Sequence, residues 1–266
     1  MTLTPRPVAL ITGASSGLGA EFARAFAAKG AALILAARRA DRLNALAAEL
    51  ASRHGTHTEV LVVDLATDKG VETVEAKILA TPNLHWLINN AGFNVKGYFH
   101  KAPVDTLDRM YRLQVLAPFQ LTHAALAGMT ERNAGAIINV ASVVSFIMTV
   151  GSVSYASTKT WIHTFTEGIY IEQRNAGSKV RLQSLCPGYV LTEFHDVVGM
   201  DRSVIPKSLW LDAPFVVEES LQALEKNKLL VIPGWKYRLI VWLVRRLPAA
   251  ARYALAERMG KRMKRT

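Results

Sequence analysis

The sequence predicts an α/β protein with a doubly wound parallel sheet, on the evidence of two regularities. Short runs of β-branched and other apolar residues alternate along the chain with longer amphipathic stretches. Most of the short runs are almost continuously apolar, as is typical of parallel strands that helices cover on both faces. Because no linker interrupts this alternation, we expect one domain rather than two.

The strands are predicted in chain order at 8–12, 32–37, 58–63, 85–89, 135–141, 180–185 and 229–233. The first helix follows strand 8–12 directly and is expected to end at Gly30. Right-handed connections then place the first turn at the carboxyl edge of a seven-stranded sheet. We expect this domain to occupy residues 1–233, with a basic helical C-terminal extension over 234–266 packed on it or appended to it.

The charge of the chain is concentrated in that extension. The whole chain of 266 residues carries +11, but residues 234–266 hold ten basic residues against one acid, Glu257, and so account for +9. The preceding chain is therefore nearly neutral. A basic tail on a neutral body favours contact with an anionic surface over nucleic-acid binding, because positive charge alone does not recognise the groove of a nucleic acid.

The composition excludes several classes of protein. Half of the residues are hydrophobic and no apolar run approaches the roughly 20 residues of a membrane span, so we expect a folded domain without transmembrane helices. Residues 1–10 lack the pattern of a secretory signal, and the single cysteine, Cys186, suits a reducing compartment such as the cytoplasm. The seven histidines show no metal-ligand spacing, and we expect no metal site.

The stretch GASSG at residues 13–17, directly after the first strand, fits two motifs. As G-x-S-x-G it would present Ser15 as the nucleophile of a hydrolase. As T-G-x-x-x-G-x-G it would be a glycine-rich turn that lets a helix N-terminus bind phosphate. A hydrolase takes an oxyanion donor from an earlier loop, and none precedes Ser15. The order of elements therefore favours phosphate, with a turn that binds no ligand as the alternative.

Three glycines have distinct roles in the phosphate interpretation. Gly13 allows the tight turn, Gly17 lets the backbone approach a phosphate, and Gly19 lets the helix pack closely on the sheet. The residues of the turn expected to contact the phosphates also include Ser15, Ser16 and Leu18. The pattern predicts a dinucleotide-binding Rossmann domain.

The end of the second strand predicts which dinucleotide is bound. A Rossmann domain that prefers NAD(H) carries an acid about 20 residues after the glycines, where it holds the ribose hydroxyls. Here Ala37 stands in that place, followed by Arg38 and Arg39. An acid would repel a 2′-phosphate, whereas a guanidinium binds it in a bidentate manner. We therefore predict NADP(H) rather than NAD(H), with two arginines on a solvated loop as the alternative.

A possible proton donor follows in the stretch SYASTK. Tyr155 precedes Lys159 by four residues, which puts both side chains on one face of a helix. An ammonium beside a phenol favours the phenolate and would lower the tyrosine pKa. Such a tyrosine is suited to exchange a proton with a carbonyl or alcohol oxygen.

With these motifs the chain resembles the short-chain dehydrogenase/reductase family over residues 7–192. The resemblance rests on the order of TGASSGLG (12–19), DL (64–65), NNAG (89–92), INVAS (138–142), YASTK (155–159) and PGYVLT (187–192). It implies that Tyr155 is the acid/base, that Lys159 holds the nicotinamide ribose and lowers the tyrosine pKa, and that Ser142 binds the substrate oxygen. It further implies that the cofactor is contacted by Asp64, Leu65, Asn90, Ala91, Gly92, Pro187, Gly188, Val190 and Thr192.

One residue departs from the family pattern. The resemblance places an asparagine after NNAG, where it supports a water that relays protons to the lysine. This chain has Gln114 there, which keeps the amide but adds a methylene. We expect an active but slower enzyme, with Gln114 among the catalytic residues.

The resemblance implies an oxidoreductase that interconverts a carbonyl and an alcohol, and commonly a homo-oligomer, dimer or tetramer. The segment after PGYVLT is rich in apolar and aromatic residues, which favours a lipophilic substrate or a lid that excludes water. His195 in this segment is either a substrate contact or a plain loop residue. Trp161 and Phe165 are interpreted as packing residues, within the chain or against a partner subunit.

The extension predicts a basic amphipathic helix interrupted at Pro248. Such a helix suits an anionic membrane surface, and it equally suits docking on the body or an oligomer contact. The competing function of another class is a non-catalytic NADP(H)-binding scaffold that signals through this extension. The Ser142, Tyr155 and Lys159 set argues against that alternative.

Overall fold

The computed structural model describes residues 6–194 and 202–263. Seven strands form one parallel sheet: β1 (Val8–Thr12), β2 (Ala32–Ala37), β3 (Thr58–Val62), β4 (Leu84–Asn89), β5 (Ala136–Val140), β6 (Arg181–Leu185) and β9 (Leu230–Val231). Their order across the sheet is β3-β2-β1-β4-β5-β6-β9. This confirms the predicted doubly wound fold and its seven parallel strands. A separate pair, β7 (Tyr189–Val190) and β8 (Trp210–Leu211), was not predicted.

Helices cover both faces of this sheet. The α-helices of the described residues are α1 (Gly17–Ala28), α2 (Ala40–His54), α3 (Asp68–Leu79), α4 (Val104–Tyr111), α5 (Ala117–Glu131), α6 (Val153–Asn175), α7 (Ala213–Glu225), α8 (Trp235–Arg246) and α9 (Ala249–Met263). The apolar residues of α1, α2 and α7 form one buried cluster with the sheet, and those of α3, α5 and α6 form a second cluster on its other face. Central strands such as β1 and β5 are thus buried on both sides, as their continuous apolar character predicts, whereas the edge strand β3 is only partly buried.

The order of strands reverses between β1 and β4, so the connections that leave these two strands diverge there. Thr12 at the end of β1 ties the two strands together: its hydroxyl donates to the Ile88 carbonyl at 3.2 Å and accepts from the Asn90 amide at 3.0 Å. The Asn90 side chain in turn donates to the Thr12 carbonyl at 2.9 Å. Ligands of open α/β sheets bind outside such a switch point.

A buried polar network links this edge of the sheet to α6. The Asn89 amide donates to Asn139 at 2.8 Å and to Thr122 at 3.0 Å, and the Asn139 amide donates to Thr166 on α6 at 2.9 Å. Each of these bonds joins groups that would be costly to bury unpaired. The network therefore fixes the position of α6 relative to β4 and β5.

The first helix of the C-terminal extension packs on the body of the domain. Tyr237, Val241 and Val244 of α8 are buried. The Tyr237 hydroxyl donates to the Leu209 carbonyl and accepts from the Tyr189 amide, and its ring lies against Gly188, where a Cβ atom would collide with it. The helix break expected at Pro248 is present between α8 and α9. The division of the chain at residue 233 stays a prediction.

Candidate active site

The glycine-rich turn between β1 and α1 is shaped as a phosphate cradle. Gly13 has φ +67°, and a Cβ atom there would lie 2.8 Å from the Ala91 Cα. Gly17 has φ +55°, and a Cβ atom there would lie 3.2 Å from the Thr192 side chain. At Gly19 a Cβ atom would collide with the Gly13 carbonyl oxygen. The positive φ values and the close contacts explain why each position needs glycine.

The two arginines after β2 lie beside this turn. Arg39 donates from Nε and Nη2 to the Ser15 hydroxyl at 3.2 and 3.0 Å, and from Nη2 to the Ser16 hydroxyl at 2.8 Å. Arg38 is exposed and makes no hydrogen bond or ion pair with the residues that the structure describes. Both side chains line the cleft next to the turn, where guanidinium groups can bind phosphate.

Asp64 and Leu65, which follow β3, border the same cleft. The Asp64 carboxylate pairs with Arg109 at 2.7 Å and accepts from the Ala66 amide at 3.0 Å. Partial burial raises its pKa, but these two hydrogen bonds outweigh burial and leave the pKa below its usual value. The carboxylate is therefore ionised at neutral pH and acts only as a hydrogen-bond acceptor.

Ser142, Tyr155 and Lys159 meet at the other end of the cleft. Ser142 follows β5, while Tyr155 and Lys159 stand one turn apart at the start of α6. The Lys159 Nζ lies 5.7 Å from the centre of the Tyr155 ring and donates to the Val140 carbonyl at 2.7 Å. The three residues predicted from the sequence are thus brought together.

Burial dominates the electrostatics of this group. Burial raises the pKa of Tyr155, and a hydrogen bond with Ser142 only partly opposes this effect. Burial also lowers the pKa of Lys159 to about 8. Lys159 is not among the causes of this shift in the chain alone, where its ammonium donates to the Val140 carbonyl; the expected lowering of the tyrosine pKa by Lys159 stays a prediction. Tyr155 keeps its proton at neutral pH.

Gln114 lies behind the wall of the cleft rather than on it. It is buried in a π-helical turn at residues 112–116 that joins α4 to α5. Its Nε2 donates to the Phe93 carbonyl at 2.9 Å, and its Oε1 accepts no hydrogen bond from the described residues. A Cβ atom on Gly92 would lie 2.7 Å from that oxygen. The extra methylene of glutamine thus fits only because residue 92 is glycine.

The segment after β6 closes the cleft near Ser142. The Pro187 carbonyl accepts from the Val143 amide at 3.0 Å and from the Ser142 hydroxyl at 3.4 Å. Pro187, Gly188, Val190 and Thr192 all line the cleft. The Phe194 ring, further along, lies with its centre 5.9 Å from that of Tyr155. His195 lies outside the described residues.

One continuous cavity of about 900 Å³ joins these groups. It runs from Arg38 and Arg39, past the glycine turn, to Ser142, Tyr155 and Lys159. Of the predicted site residues, only Gly19 and Gln114 do not line it. Its wall is largely apolar, with residues that include Phe93, Val144, Ile147, Val150, Phe194, Leu209 and Ile240. The glycine cradle, its flanking cations and the cavity's volume fit a dinucleotide together with a second ligand.

Sequence reasoning missed four residues of this site. Thr12 joins β1 to β4 at the switch point, and Arg109 pairs with Asp64. The other two, Arg42 and Glu193, lie beside Arg39. Thr12 was part of the quoted TG motif, but its contacts to β4 join residues 76 to 79 positions apart. No local pattern signals such distant pairs.

Other kinds of site find little support in the described part of the chain. No group of three or more His, Cys, Asp or Glu side chains there is arranged to hold a metal ion. Among the same residues, none of the helices has the length and apolar character needed to cross a membrane. Cys186 is fully buried, and burial raises the pKa of its thiol to about 12, which makes it inert. Trp161 and Phe165 stack with ring centres 4.7 Å apart, as packing residues do.

Two curated relatives match most of the chain. A very-long-chain 3-oxoacyl-CoA reductase from Anas platyrhynchos is 28% identical over 193 residues, which are 71% of this chain and 61% of the relative. This chain thus spans about three fifths of the length of that relative. An uncharacterized oxidoreductase from Staphylococcus saprophyticus is 34% identical over 196 residues, which are 72% of this chain and 77% of the relative.

Solved structures agree over almost the full length. A short-chain dehydrogenase from Sphingobium yanoikuyae in complex with NADPH has a TM-score of 0.81 at 29% identity, covering 97% of this chain and 94% of that one. The bulky-bulky ketone specific alcohol dehydrogenase from Comamonas testosteroni has a TM-score of 0.78 at 27% identity, covering 98% and 94%. A family model described as short chain dehydrogenase matches residues 7–202. The chain therefore belongs to the short-chain dehydrogenase/reductase family, whose members are oxidoreductases that act on CH–OH groups with NAD(P).

Proposed function

We propose that this protein is an NADP(H)-dependent oxidoreductase that interconverts a ketone or aldehyde and an alcohol on a lipophilic substrate. The observation that carries the proposal is the single cavity that joins the cationic phosphate cradle to Ser142, Tyr155 and Lys159. A non-catalytic scaffold would need only the cradle. The proposed site of action is the cytoplasm, for which the single buried cysteine is the supporting feature.

The preference for NADP(H) is supported by charge. Arg38 and Arg39 stand where an NAD(H)-preferring domain carries an acid, and both border the cavity. A 2′-phosphate carries up to two negative charges and accepts paired hydrogen bonds from a guanidinium. The NADPH complex of the Sphingobium neighbour agrees with this preference. The residues that would hold the rest of the cofactor are those of the glycine turn, Asp64, residues 90–92 and the segment 187–192.

In the proposed reaction the chain's residues bind the substrate oxygen and move one proton. Ser142 and Tyr155 donate hydrogen bonds to the carbonyl oxygen, which polarises the carbonyl carbon. When bound, the nicotinamide cofactor supplies the hydride that this carbon accepts. Tyr155 then gives its proton to the oxygen to complete the alcohol. Its raised pKa suits this direction, because the phenol is fully protonated before the reaction starts.

Lys159 and Gln114 are proposed to support proton return to Tyr155. The Lys159 ammonium lies on the same helix face as the phenol, and its pKa of about 8 lets it exchange protons near neutral pH. The unpaired Oε1 of Gln114 is a buried acceptor next to Gly92 on the cavity wall. We expect Gln114 to anchor the relay less closely than the asparagine of the family pattern would.

The lipophilic substrate is proposed from the cavity, where Phe93, Ile147 and Phe194 are among the apolar residues that form the wall. The names of two similar proteins point the same way, since one is a very-long-chain 3-oxoacyl-CoA reductase and the other a bulky-bulky ketone specific alcohol dehydrogenase.

The proposal is tested with purified protein, NADPH or NADH, and a series of ketones of increasing hydrocarbon bulk. We expect NADPH to be consumed, kcat/KM to rise with bulk, and NADH to be a poorer donor. Consumption of neither coenzyme with any ketone, in either direction, would contradict the assignment. Equal affinities for NADPH and NADH would remove the coenzyme preference alone.

We also propose that the protein forms a dimer or tetramer. Leu116 and Phe119, close to the junction of the π-helical turn and α5, are each 47% exposed, and Phe119 contacts Phe165 of α6 with ring centres 6.1 Å apart. Such an apolar surface is suited to a second copy of the chain. Light scattering after size exclusion should give a multiple of 29.2 kDa, and Phe119→Glu should shift it towards the monomer. A monomeric wild type would refute this part.

A second proposed partner is an anionic membrane surface. Helix α8 exposes Trp235, Leu239, Trp242 and Leu243, and the Arg246 guanidinium lies 3.7 Å from the centre of the Trp242 ring. Aromatic and basic residues on one helix are typical of interfacial binding. Vesicles with anionic lipid should sediment the protein at low salt, and Trp235→Gln with Trp242→Gln should abolish this, whereas Ile171→Gln on exposed α6 should not. Equal binding by both variants, or none by the wild type, would refute membrane contact.

A further inference from the structure

Three charged side chains form an ion-pair cluster at the rim of the cavity, which we call the rim cluster: Arg39, Arg42 and Glu193. One carboxylate oxygen of Glu193 pairs with Arg39 at 3.1 Å, and the other pairs with Arg42. The three side chains are 40%, 44% and 41% exposed. The cluster joins the start of α2 to the segment after β7, so it spans two parts of the chain that are distant in sequence.

The rim cluster occupies the groups that a 2′-phosphate would need. Arg39 shares its remaining nitrogens with the Ser15 and Ser16 hydroxyls of the glycine turn, at 2.8 to 3.2 Å. Hydrogen bonds from Arg42 and Arg39 hold the pKa of Glu193 below its usual value, so the carboxylate is charged at neutral pH. A carboxylate, like a phosphate, is an anion whose oxygens accept charge-assisted hydrogen bonds from guanidinium groups.

We propose that Glu193 is an internal competitor for the cofactor, occupying Arg39 and Arg42 until the 2′-phosphate of NADP(H) displaces it. This inference rests on the proposed NADP(H)-dependent function and extends it to the regulation of the same site. It adds Arg42 to the residues that bind the 2′-phosphate. It also assigns Glu193 a role in setting how strongly the protein prefers one coenzyme.

Charge decides which coenzyme can displace the carboxylate. A 2′-phosphate brings up to two negative charges to Arg39 and Arg42, whereas the 2′-hydroxyl of NAD(H) brings none. Only the phosphate can therefore replace the ion pairs that the two arginines lose when the Glu193 carboxylate leaves. The carboxylate thus weakens NADP(H) binding while leaving NAD(H) binding almost unchanged, and it keeps the empty cationic site from binding other anions.

The position of Glu193 connects this exchange to the catalytic end of the cavity. Thr192, directly before it, lies so close to the glycine turn that a Cβ atom at Gly17 would be 3.2 Å from its side chain. Phe194, directly after it, contacts the ring of Tyr155. Release of Glu193 from the arginines therefore removes one restraint on a short segment that borders both the phosphate cradle and the proposed proton donor.

The test measures binding of adenosine 2′,5′-bisphosphate and of 5′-AMP by calorimetry, since the two probes differ only in the 2′-phosphate. In Glu193→Gln we expect the bisphosphate to bind about threefold to tenfold more tightly, the range set by two partly exposed ion pairs. Binding of 5′-AMP should change less than about twofold. In Arg42→Gln the bisphosphate should bind more weakly by a comparable factor, again with 5′-AMP unchanged. The matched control is Glu225→Gln, which removes the carboxylate of the surface pair with Lys29 at 2.7 Å and should alter neither affinity.

The outcomes separate this inference from the proposed function. If Glu193→Gln weakens or does not change bisphosphate binding, or tightens both probes equally, Glu193 is not a competitor. If Arg42→Gln leaves bisphosphate binding unchanged, Arg42 does not bind the phosphate. A wild type that binds neither probe contradicts the NADP(H) assignment itself. If the wild type prefers the bisphosphate and Glu193→Gln binds it with the same affinity as the wild type, this inference alone is overturned.

Discussion

The buried ammonium of Lys159 should destabilise the cofactor-free protein, and its removal should be stabilising. Lys159 is 6% exposed, and its side chain makes one hydrogen bond within the described residues, donated to the Val140 carbonyl. Burial lowers its pKa from 10.5 to about 8. At about 1.4 kcal/mol per pH unit this difference amounts to about 3 kcal/mol of unfavourable free energy at pH 7. We expect Lys159→Met to gain about 2 kcal/mol, because the hydrogen bond worth about 1 kcal/mol is lost with the charge.

The pH dependence of this gain has a definite sign. Between pH 8 and 10.5 the unfolded chain keeps a proton on Lys159 that the folded protein has lost. Wild-type stability therefore rises with pH across this window, and the advantage of Lys159→Met should shrink to about zero by pH 10.5. Burial raises the pKa of both Tyr155 and Cys186, so both stay protonated in the two folded proteins across this window and contribute almost equally to each stability.

The assay is urea unfolding of both proteins at a series of pH values from 6 to 10.5, without cofactor. The matched control is Lys29→Met, which removes a half-exposed lysine and its ion pair with Glu225 and should give no gain in stability at pH 7. A Lys159→Met protein that is less stable than the wild type at pH 7, or a stability difference independent of pH, would refute the reasoning. Either result would mean that the ammonium is not held at an energetic cost.

Three further predictions concern the frame around the site. Gly19→Ala should abolish nucleotide binding and lower stability, because its methyl group would collide with the glycine turn. The control Gly168→Ala, at a position of α6 with no close neighbour, should raise stability by up to about 1 kcal/mol in the same unfolding assay. Nucleotide binding by Gly19→Ala would contradict the close packing of the turn. Gln114→Asn should keep activity, with kcat equal or higher in steady-state kinetics, and total loss would exclude the relay role. Gly188→Ala should displace the Tyr237 ring and lower both Tm and kcat. A Tm within error of the wild type would disprove that contact.

The fold was predictable because its signals are local. Continuous apolar runs predicted all seven strands of the main sheet to within three residues, and the glycine spacing after β1 predicted the turn. Tyr155 and Lys159 were predictable as a pair because four residues on a helix bring two side chains to one face. Each of these inferences uses residues that are neighbours in the sequence or that repeat with a fixed period.

The remaining features depend on contacts that the sequence does not encode locally. The raised pKa of Tyr155 follows from burial, and the Lys159 ammonium donates to the Val140 carbonyl; the spacing of the two residues predicts neither. Glu193 meets Arg39 and Arg42 across more than 150 positions of the chain. The packing of Tyr237 on Gly188 likewise joins the C-terminal extension to the catalytic segment through the fold alone.

The most direct test of the account compares wild type with Tyr155→Phe, in both nucleotide binding and turnover. The account predicts that Tyr155→Phe binds NADPH with nearly unchanged affinity, since the phenol hydroxyl donates to the substrate oxygen. Its kcat for a bulky ketone should fall by about 100-fold to 10,000-fold, the range for loss of a general acid. A variant that turns over at the wild-type rate would contradict the central claim that this phenol is the proton donor at the end of the dinucleotide cavity.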